Sequence, residues 1–366
     1  MLIGVPKEIK AQENRVGLNP ASVAECVFNG HKVLVETNAG QGIHATDDDY
    51  RAAGAEIAPS AADVFKRAEM VVKVKEPQAA EWIQLRKDQI LFTYLHLAPD
   101  PKQAKGLIDS GVTAIAYETV TSPKGGLPLL APMSEIAGRM APVMGAYYLQ
   151  KHKGGRGRLI SGVPGVEAAK VLVIGGGVSG FNAARVAQGM GARVTILEKN
   201  LDRVRYLDEF FGTSVNIVVA SKAKIEHYVP QMDMVIGAVL VPGAAAPRLI
   251  TRAMLGEMKE GAVLVDIAID QGGCFETSKI TKHEDPVYEV DGILHYCVAN
   301  MPGAYPHSST QALNNATLPF VLALAGKGWK GATDADPHLK MGVNVHAGKI
   351  THPAVADALG LAYQPV

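Results

Sequence analysis

Short apolar runs separated by helical patterns fill the first part of the sequence. The runs that resemble strands are residues 32–36, 70–75, 90–95 and 113–117. One of the helical patterns between them begins at Asn19 and Pro20, a capping residue followed by a proline suited to the first helical position, and ends near Gly30. Strands that alternate with helices predict parallel βαβ units.

A second series of apolar runs begins near residue 170. It comprises residues 171–174, 193–197, 215–219, 234–239, 262–267 and 294–298. These runs are almost continuously apolar, which is typical of strands in a parallel sheet that is covered on both faces. The second series therefore predicts a second parallel sheet.

Two long helical patterns frame the second series. One covers residues 134–151 and takes Ser134 as its cap, and the other covers residues 308–326 and contains Pro319. Residues 154–165, rich in Gly and Arg, predict a loop after the first of these helices.

These patterns together predict the fold class and the domains. We expect an α/β protein of two Rossmann-like domains with parallel sheets, linked by long helices. The first domain is discontinuous and covers residues 1–130 and 305–366, because the residues that follow the second long helix are too few for a domain of their own. Residues 131–304 form the second domain.

The charge balance excludes two classes of partner. The chain has 366 residues, with 36 Lys and Arg and 36 Asp and Glu, so its formal net charge is zero. A neutral chain lacks the field that holds nucleic acid or an anionic membrane. No apolar run reaches the roughly 18 residues of a membrane span. We therefore expect neither a nucleic-acid partner nor a membrane partner.

The cysteines bear on metal binding and location. Cys26, Cys274 and Cys297 are too few and too widely spaced for a disulfide framework or a CxxC metal site. We find no other cluster of metal ligands and predict no bound metal. The N-terminal residues contain no apolar signal core, so we expect a cytoplasmic protein.

A glycine motif carries the strongest local signal. Gly175, Gly177 and Gly180 form a GxGxxG pattern that follows an apolar strand, opens a helix predicted over residues 181–188, and precedes a second strand ending at Glu198. Such glycines permit a tight turn, a close approach to a pyrophosphate and close helix packing, while the helix N-terminus favours phosphate. A carboxylate at 198 binds a ribose diol and repels a 2′-phosphate, which favours NAD over NADP.

Arg203 and Arg205 lie close to Glu198 in sequence and slightly weaken the preference for NAD. The alternative is a glycine-rich turn from strand to helix that binds no ligand.

Four polar residues lie where an apolar core would not place them. Lys75, His96 and Asp270 follow or end predicted strands, and Arg15 lies between the first strand and the first helix. Ligands of open parallel sheets bind outside the carboxyl ends of strands. A guanidinium and an ammonium suit a substrate carboxylate, a histidine exchanges protons near neutral pH, and a carboxylate beside a nicotinamide orders the transition state.

Each of the four has a simpler explanation that the sequence leaves open. Arg15 fits a surface ion pair, Lys75 a solvated strand end, and His96 a core histidine bonded to backbone. Asp270 fits a turn cap, and Asp266 in the same strand is a more buried candidate whose role the sequence does not indicate.

Longer segments of the sequence resemble bacterial alanine dehydrogenases over essentially the whole chain. The segments are GVPKEIKAQENRVGLNP (4–20), VKVKEP (72–77), TYLHLA (93–98), GGGVSGFNAARVAQGMGA (175–192), GAVLVPGAAAP (237–247), LVDIAIDQGGCFE (264–276) and YCVANMPG (296–303). The resemblance implies reversible oxidative deamination of L-alanine to pyruvate and ammonium with NAD, and a homohexamer.

The resemblance also implies roles for individual residues. Arg15 and Lys75 match substrate ligands, His96 matches the general acid and base, and Asp270 matches a second catalytic residue near the nicotinamide. The positions that match cofactor-binding residues are Ser134, Gly175, Gly177, Val178, Ser179, Gly180, Glu198, Arg203, Val239, Leu240, Ile267, Ala268, Ile269, Asp270, Lys279, Val298, Ala299, Asn300 and Met301.

The sequence departs from the family at a few positions. Glu198 stands where an Asp is common, Arg203 where a Lys is common, and Ala220 where a serine often lies near the adenine. Three other functions stay open: a transhydrogenase subunit, a lysine-forming saccharopine dehydrogenase, and a non-catalytic NAD-binding sensor or structural protein.

Overall fold

The structure, a computed structural model, describes residues 1–239 and 246–366. The strands are β1 (Leu2–Val5), β2 (Lys32–Glu36), β3 (Glu56–Ala58), β4 (Met70–Val72), β5 (Ile90–Thr93), β6 (Thr113–Ala116), β7 (Lys170–Ile174), β8 (Arg193–Glu198), β9 (Asn216–Val219), β10 (Met234–Gly237), β11 (Val263–Asp266), β12 (Val287–Val290), β13 (Ile293–Tyr296), β14 (Val343–His346) and β15 (Lys349–Ile350).

The helices alternate with these strands. They are α1 (Pro20–Phe28), α2 (Asp47–Ala52), α3 (Ala61–Arg67), α4 (Ala79–Trp82), α5 (Pro101–Ser110), α6 (Ala131–Tyr148), α7 (Val178–Gly189), α8 (Leu201–Phe211), α9 (Lys222–Tyr228), α10 (Arg252–Leu255), α11 (Pro306–Ala335), α12 (Pro337–Lys340) and α13 (Pro353–Leu359). By internal contacts the described residues divide into two units, residues 1–133 with 305–366 and residues 134–304. None of the helices described is long and apolar enough to cross a membrane.

The first unit is built on an eight-stranded sheet in the order β15-β14-β6-β5-β4-β1-β2-β3. Strands β1 to β6 are parallel, and β14 and β15 add antiparallel strands at the edge of β6. The strand order reverses between β1 and β4. The carboxyl ends of β1, β4 and β5, three neighbours, therefore form one edge, and ligands of such sheets bind at this type of reversal.

The second unit repeats this arrangement in a seven-stranded sheet of order β12-β13-β11-β10-β7-β8-β9. All pairings are parallel except that of β12 with β13. The order reverses between β7 and β10, and the glycine motif directly follows β7. The fold class predicted from the sequence, an α/β protein of two Rossmann-like domains with parallel sheets, is confirmed, although the antiparallel edge strands β12, β14 and β15 were not predicted.

Burial on both faces explains the continuous apolar runs. In β7, Val171 and Val173 belong to one core cluster, whereas Leu172 and Ile174 belong to another. Because successive side chains of a strand point to opposite faces, a strand covered on both faces needs apolar residues at every position.

Several predicted boundaries are wrong for physical reasons. The predicted strands 70–75 and 90–95 end at Val72 and Thr93. Beyond Val72 the amide of Lys73 still donates to the carbonyl of Phe92, but side chains take up two of the next backbone groups. Glu8 accepts the amide of Val74, and Tyr117 donates to the carbonyl of Lys73. The first long helix does not begin at Ser134 but at Ala131, with a proline in its first turn, where proline fits best.

Two of the other predicted helices extend further along the chain than their patterns predicted. The second long helix runs from Pro306 to Ala335 and is interrupted at Gly328, where the backbone is not helical. The helix of the glycine motif covers Val178–Gly189 rather than 181–188. The predicted start of α1 is confirmed, since the side chain of Asn19 accepts the amide of Ser22.

Candidate functional site

The glycine motif forms a tight turn between β7 and α7. Gly175 has φ of +96°, and a Cβ there would lie 2.8 Å from the carbonyl oxygen of Ala238, which follows β10. At Gly180 a Cβ would lie 1.8 Å from the carbonyl oxygen of Gly175. The first glycine therefore permits the turn and the last permits the close packing of α7 on the strand.

The middle glycine faces open space. A Cβ at Gly177 would meet no atom of the described chain within 4 Å. Gly177 is also the N-cap of α7 and has no side chain that would cap the amides of Val178, Ser179 and Gly180. An uncapped helix N-terminus next to open space is the arrangement that receives a pyrophosphate, so these residues fit a dinucleotide.

Glu198 and Arg203 hold the glycine turn from the neighbouring strand and helix. One carboxylate oxygen of Glu198 accepts the amide of Gly176 at 2.7 Å, and the other accepts the amides of Lys199 and Asn200 at 2.7 Å. Arg203 donates from Nε to the carbonyl oxygen of Gly176 at 2.6 Å. The carboxylate is thus oriented at the end of β8, next to the turn.

We expect the substitution Gly180→Ala to weaken NADH binding about tenfold or more. The added methyl group forces α7 away from Gly175, and overpacking of this kind costs about 1–3 kcal/mol. NADH titration monitored by fluorescence and thermal unfolding measure both effects. Gly189→Ala is the matched control, because a Cβ at this other glycine of α7 meets nothing within 4 Å. NADH affinity that is equal in the two variants would contradict the assigned role of Gly180.

Most other predicted cofactor positions lie at the same edge of the second sheet. They follow the carboxyl ends of β10, β11 and β13, and they are Val239, Ile267, Ala268, Ile269, Asp270, Val298, Ala299, Asn300 and Met301. Lys279 lies on the exposed segment between β11 and β12 rather than at a strand end. Leu240 lies outside the described residues.

Ser134 belongs to the same unit although it follows no strand. It lies in α6, four residues before Gly138, so the two residues share a helix face. A Cβ at Gly138 would lie 2.3 Å from the carbonyl oxygen of Ser179. This face of α6 therefore packs on the first turn of α7, beside the glycine motif.

Asp266 and Asp270 have different roles in the loop after β11. Asp266 is fully buried and accepts the amides of Ala268 at 3.1 Å and Cys274 at 2.8 Å, together with the hydroxyl of Ser278 at 2.5 Å. Burial raises the pKa of Asp266 despite these bonds. Asp270 is exposed, and its Oδ1 accepts the amide of Asn300 at 3.3 Å. Asp266 thus shapes the loop that presents Asp270 to solvent.

Arg15 lies in the loop after β1 and is buried with a carboxylate partner. It donates from Nε to Oε1 of Glu13 at 2.7 Å and from Nη2 to Oε2 at 2.5 Å, and Nη1 contacts the sulfur of Met133 at 2.9 Å. Burial opposes the charge, but the hydrogen bonds to Glu13 together with its negative charge and that of Glu8 raise the pKa of Arg15. Both residues line a cavity of about 280 Å³. The alternative of a surface ion pair for Arg15 is therefore wrong.

Lys75 follows β4 and is half-buried. Its carbonyl oxygen accepts the hydroxyl of Thr93 at 3.0 Å, which ties it to the end of β5. The next residue, Glu76, has a lowered pKa, because the charges of Lys75 and Lys10 outweigh the effect of its burial. Lys75 therefore lies beside Glu76 at the reversal of strand order.

His96 lies in the loop after β5 in a strained conformation. Its φ is +48°, in the left-handed region that side chains other than glycine adopt at a cost. Glu118, at the end of neighbouring β6, accepts the amide of His96 at 2.6 Å and that of Leu95 at 3.2 Å. The imidazole is 43% exposed and is stacked on Tyr94 with the ring centroids 5.8 Å apart. The alternative of a buried core histidine is therefore wrong.

The structure thus groups the predicted residues by unit. Arg15, Lys75 and His96 come from loops at one edge of the first sheet, and Asp270 joins the cofactor positions of the second sheet. Through residues 1–239 and 246–366, no three His, Cys, Asp or Glu side chains form a group suited to a metal.

The sequence interpretation missed the charged partners of these residues. Glu8, Glu13, Lys73 and Glu81 are buried, and Glu118 holds the backbone at His96. A signal for Lys73 was present, since a lysine between Val72 and Val74 lies inside an apolar run. Glu118 also follows the apolar run of β6, as His96 follows β5. The partners of Lys73 are 65 and 8 residues away, which no local pattern shows.

Comparisons with known proteins cover the whole chain. The family described as Alanine dehydrogenase/PNT matches with its N-terminal domain at residues 4–137 and with its C-terminal domain at residues 141–353. The alanine dehydrogenase of Halomonas elongata is 57% identical over 99% of this chain and 98% of its own length.

Solved structures give the same picture. An L-alanine dehydrogenase is 52% identical, with a TM-score of 0.95, over 98% of this chain and 99% of the other. A transhydrogenase from Sinorhizobium meliloti is 26% identical, with a TM-score of 0.82, over 97% of this chain and 100% of the other. Similarity to the first is therefore higher in both sequence and fold.

Proposed function

We propose how this chain, which belongs to the alanine dehydrogenase family and is an NAD-dependent amino-acid dehydrogenase, interconverts L-alanine with pyruvate and ammonium through residues at the ends of its strands. The observation that carries the proposal is the strand order of the first sheet. It brings the loops of Arg15, Lys75 and His96 to the ends of three neighbouring strands, β1, β4 and β5.

Arg15 and Lys75 bind the substrate. Glu13 fixes the plane of the Arg15 guanidinium, so the substrate carboxylate meets a donor that is already oriented. Lys75 supplies a second positive charge to the carboxylate or the carbonyl oxygen. Two cations at fixed positions hold a small 2-oxo or 2-amino acid in one orientation.

His96 moves the protons. L-alanine reacts as the free amine, after its ammonium proton has passed to solvent. A bound NAD would supply the acceptor for the hydride of Cα, which would leave the substrate as an iminium. The imidazole of His96 takes a proton from the water that attacks this carbon and returns it to the nitrogen of the resulting carbinolamine. As the C–N bond breaks, the carbinolamine hydroxyl gives its proton to the imidazole, which passes it to the departing ammonia. The products are pyruvate and ammonium, and the same groups act in reverse order for reductive amination.

The cofactor residues of the second sheet hold the dinucleotide. The first turn of α7 would hold the pyrophosphate and Glu198 would accept bonds from the adenosine ribose, while the carboxylate of Asp270 would stabilise charge that develops at the nicotinamide in the transition state. Since Glu198 repels a 2′-phosphate, NAD is the preferred cofactor.

The test is oxidation of NADH by the purified protein with pyruvate and ammonium, measured by absorbance. We expect ammonium-dependent turnover with NADH and slower turnover with NADPH. NADH oxidation with lysine and 2-oxoglutarate would indicate a saccharopine dehydrogenase. Reduction of NADP by NADH would indicate a transhydrogenase. Tight NADH binding without turnover of any pair would contradict the proposal and favour a sensor.

A homohexamer and a cytoplasmic location are also proposed. Exposed apolar side chains on α6 and the segment after it support contact between copies; they are Val143, Tyr147, Leu159, Val163 and Val166. The three cysteines are buried and unpaired, which suits a reducing compartment. Light scattering of the purified protein measures the number of subunits, and a monomer would contradict the assembly.

A further inference from the structure

Side chains hold the backbone around Lys75, in addition to a backbone bond in which the amide of Tyr94 donates to the carbonyl of Val74 at 3.2 Å. Oε1 of Glu8 accepts the amide of Val74 at 2.6 Å and lies 3.4 Å from the amide nitrogen of Lys75. Thr93 donates to the carbonyl of Lys75 at 3.0 Å. On the other side of Lys75, Oε2 of Glu81 accepts the amide of Gln78 at 2.7 Å. Two carboxylates therefore anchor the chain before and after Lys75.

One buried ammonium joins these two carboxylates. Nζ of Lys73 donates to Oε2 of Glu8 at 3.0 Å and to Oε1 of Glu81 at 2.7 Å. The side chains of all three residues are at most 2% exposed. Each carboxylate thus uses one oxygen for Lys73 and the other for the backbone near Lys75. The position of the backbone therefore depends on the ammonium.

The charges of this cluster are tightly coupled. Burial opposes the ammonium, but the attraction of Glu8 and Glu81 outweighs it and raises the pKa of Lys73. Burial raises the pKa of Glu8, and the charge of Lys73 counteracts this effect. Without Lys73, two carboxylates would share a site closed to water. A buried ion pair is a weak source of stability compared with apolar side chains of similar volume, so its placement at this loop indicates a role in geometry.

We propose that Lys73 is a positioning residue for substrate binding: through Glu8 and Glu81 it fixes the backbone that carries Lys75, and so sets the place of the Lys75 ammonium relative to the substrate carboxylate. This inference rests on the proposed function of Lys75. Lys73 itself is fully buried and acts only through its two partners.

The test compares Lys73→Met/Glu81→Gln with Lys75→Met and with the triple variant. The first pair of changes removes one charge of each sign, so the net charge of the cluster is kept. We expect it to raise the KM for pyruvate about tenfold or more, because small displacements of binding groups have large effects. The Kd for NADH stays unchanged, and the KM for pyruvate in the triple variant equals that of Lys75→Met alone.

Gln89→Met is the control for loss of stability. Gln89 is fully buried at the start of β5 and donates to the carbonyls of Phe65 and Ala68, away from Lys75. We expect this variant to lower the melting temperature and leave the KM for pyruvate unchanged. If the double variant does not fold, Glu81→Gln alone replaces it, with an expected rise in KM of about threefold.

The outcomes separate the inference from the function on which it rests. The positioning role of Lys73 is overturned if the KM for pyruvate is unchanged in the folded double variant. It is also overturned if the effects on this KM of the double variant and of Lys75→Met add in the triple variant. In both cases the role of Lys75 in substrate binding still holds. An unchanged KM in Lys75→Met overturns the binding role of Lys75 and the inference with it.

Discussion

His96→Asn is expected to lower kcat by about 10²- to 10⁴-fold, the usual contribution of a general acid and base. Asparagine is chosen because it tolerates the left-handed backbone better than most residues, so the turn at φ of +48° is retained. The backbone amides of Leu95 and His96 donate to Glu118, and these bonds do not involve the side chain at position 96, so they are also retained. The variant therefore removes the imidazole and little else. Steady-state kinetics in both directions measure the loss.

His44→Asn is the matched control for this substitution. His44 is another exposed histidine of the first unit in the left-handed region, with φ of +61°. We expect its replacement to leave kcat unchanged, and the Kd for NADH to be the same in both variants. A normal kcat in His96→Asn would remove His96 from the proposed mechanism, whereas a changed Kd for NADH would indicate a wider disturbance.

Arg15→Met should destabilise the protein by about 3–5 kcal/mol and raise the KM for pyruvate strongly. The change leaves Glu13 as a buried carboxylate without its bidentate partner, which is the costly way to break a buried ion pair. The guanidinium that orients the substrate carboxylate is lost at the same time. Thermal unfolding and steady-state kinetics measure the two effects independently.

Glu13→Gln/Arg15→Met separates the two roles of Arg15. With the carboxylate neutralised, we expect most of the stability to return, while the KM for pyruvate stays high. Recovery of both properties would show that Arg15 acts on stability alone. Recovery of neither would show that the unpaired Glu13 carboxylate is not the cause of the stability lost in Arg15→Met.

The fold was largely predictable because its signal is local. Strands covered on both faces need apolar residues at every position, and this appears directly in β7 and its neighbours. Turn glycines and the Asn19 cap also act on adjacent residues. The choice of Lys75, His96 and Asp270 as candidates followed from the rule that ligands bind where strands of a parallel sheet end.

The remaining details depend on contacts between distant residues. The backbone just after the strand end at Val72 bonds to Glu8 and Tyr117, which lie far away in sequence. Whether Arg15 is buried or exposed depends on the closure of the loop over it, although Glu13 is only two residues away. Local spacing also favoured Ser134 as a helix cap, whereas the helix begins three residues earlier.

The antiparallel edge of the first sheet has a consequence during synthesis. Thr113–Ala116 pairs with Val343–His346, which the ribosome adds more than two hundred residues later. At about 5–20 residues per second, this edge stays without its partner for roughly 10–45 s. An unpaired edge strand is a template for association with other chains. The nascent chain therefore passes through a period in which chaperones that shield such edges matter more than they do for the finished protein.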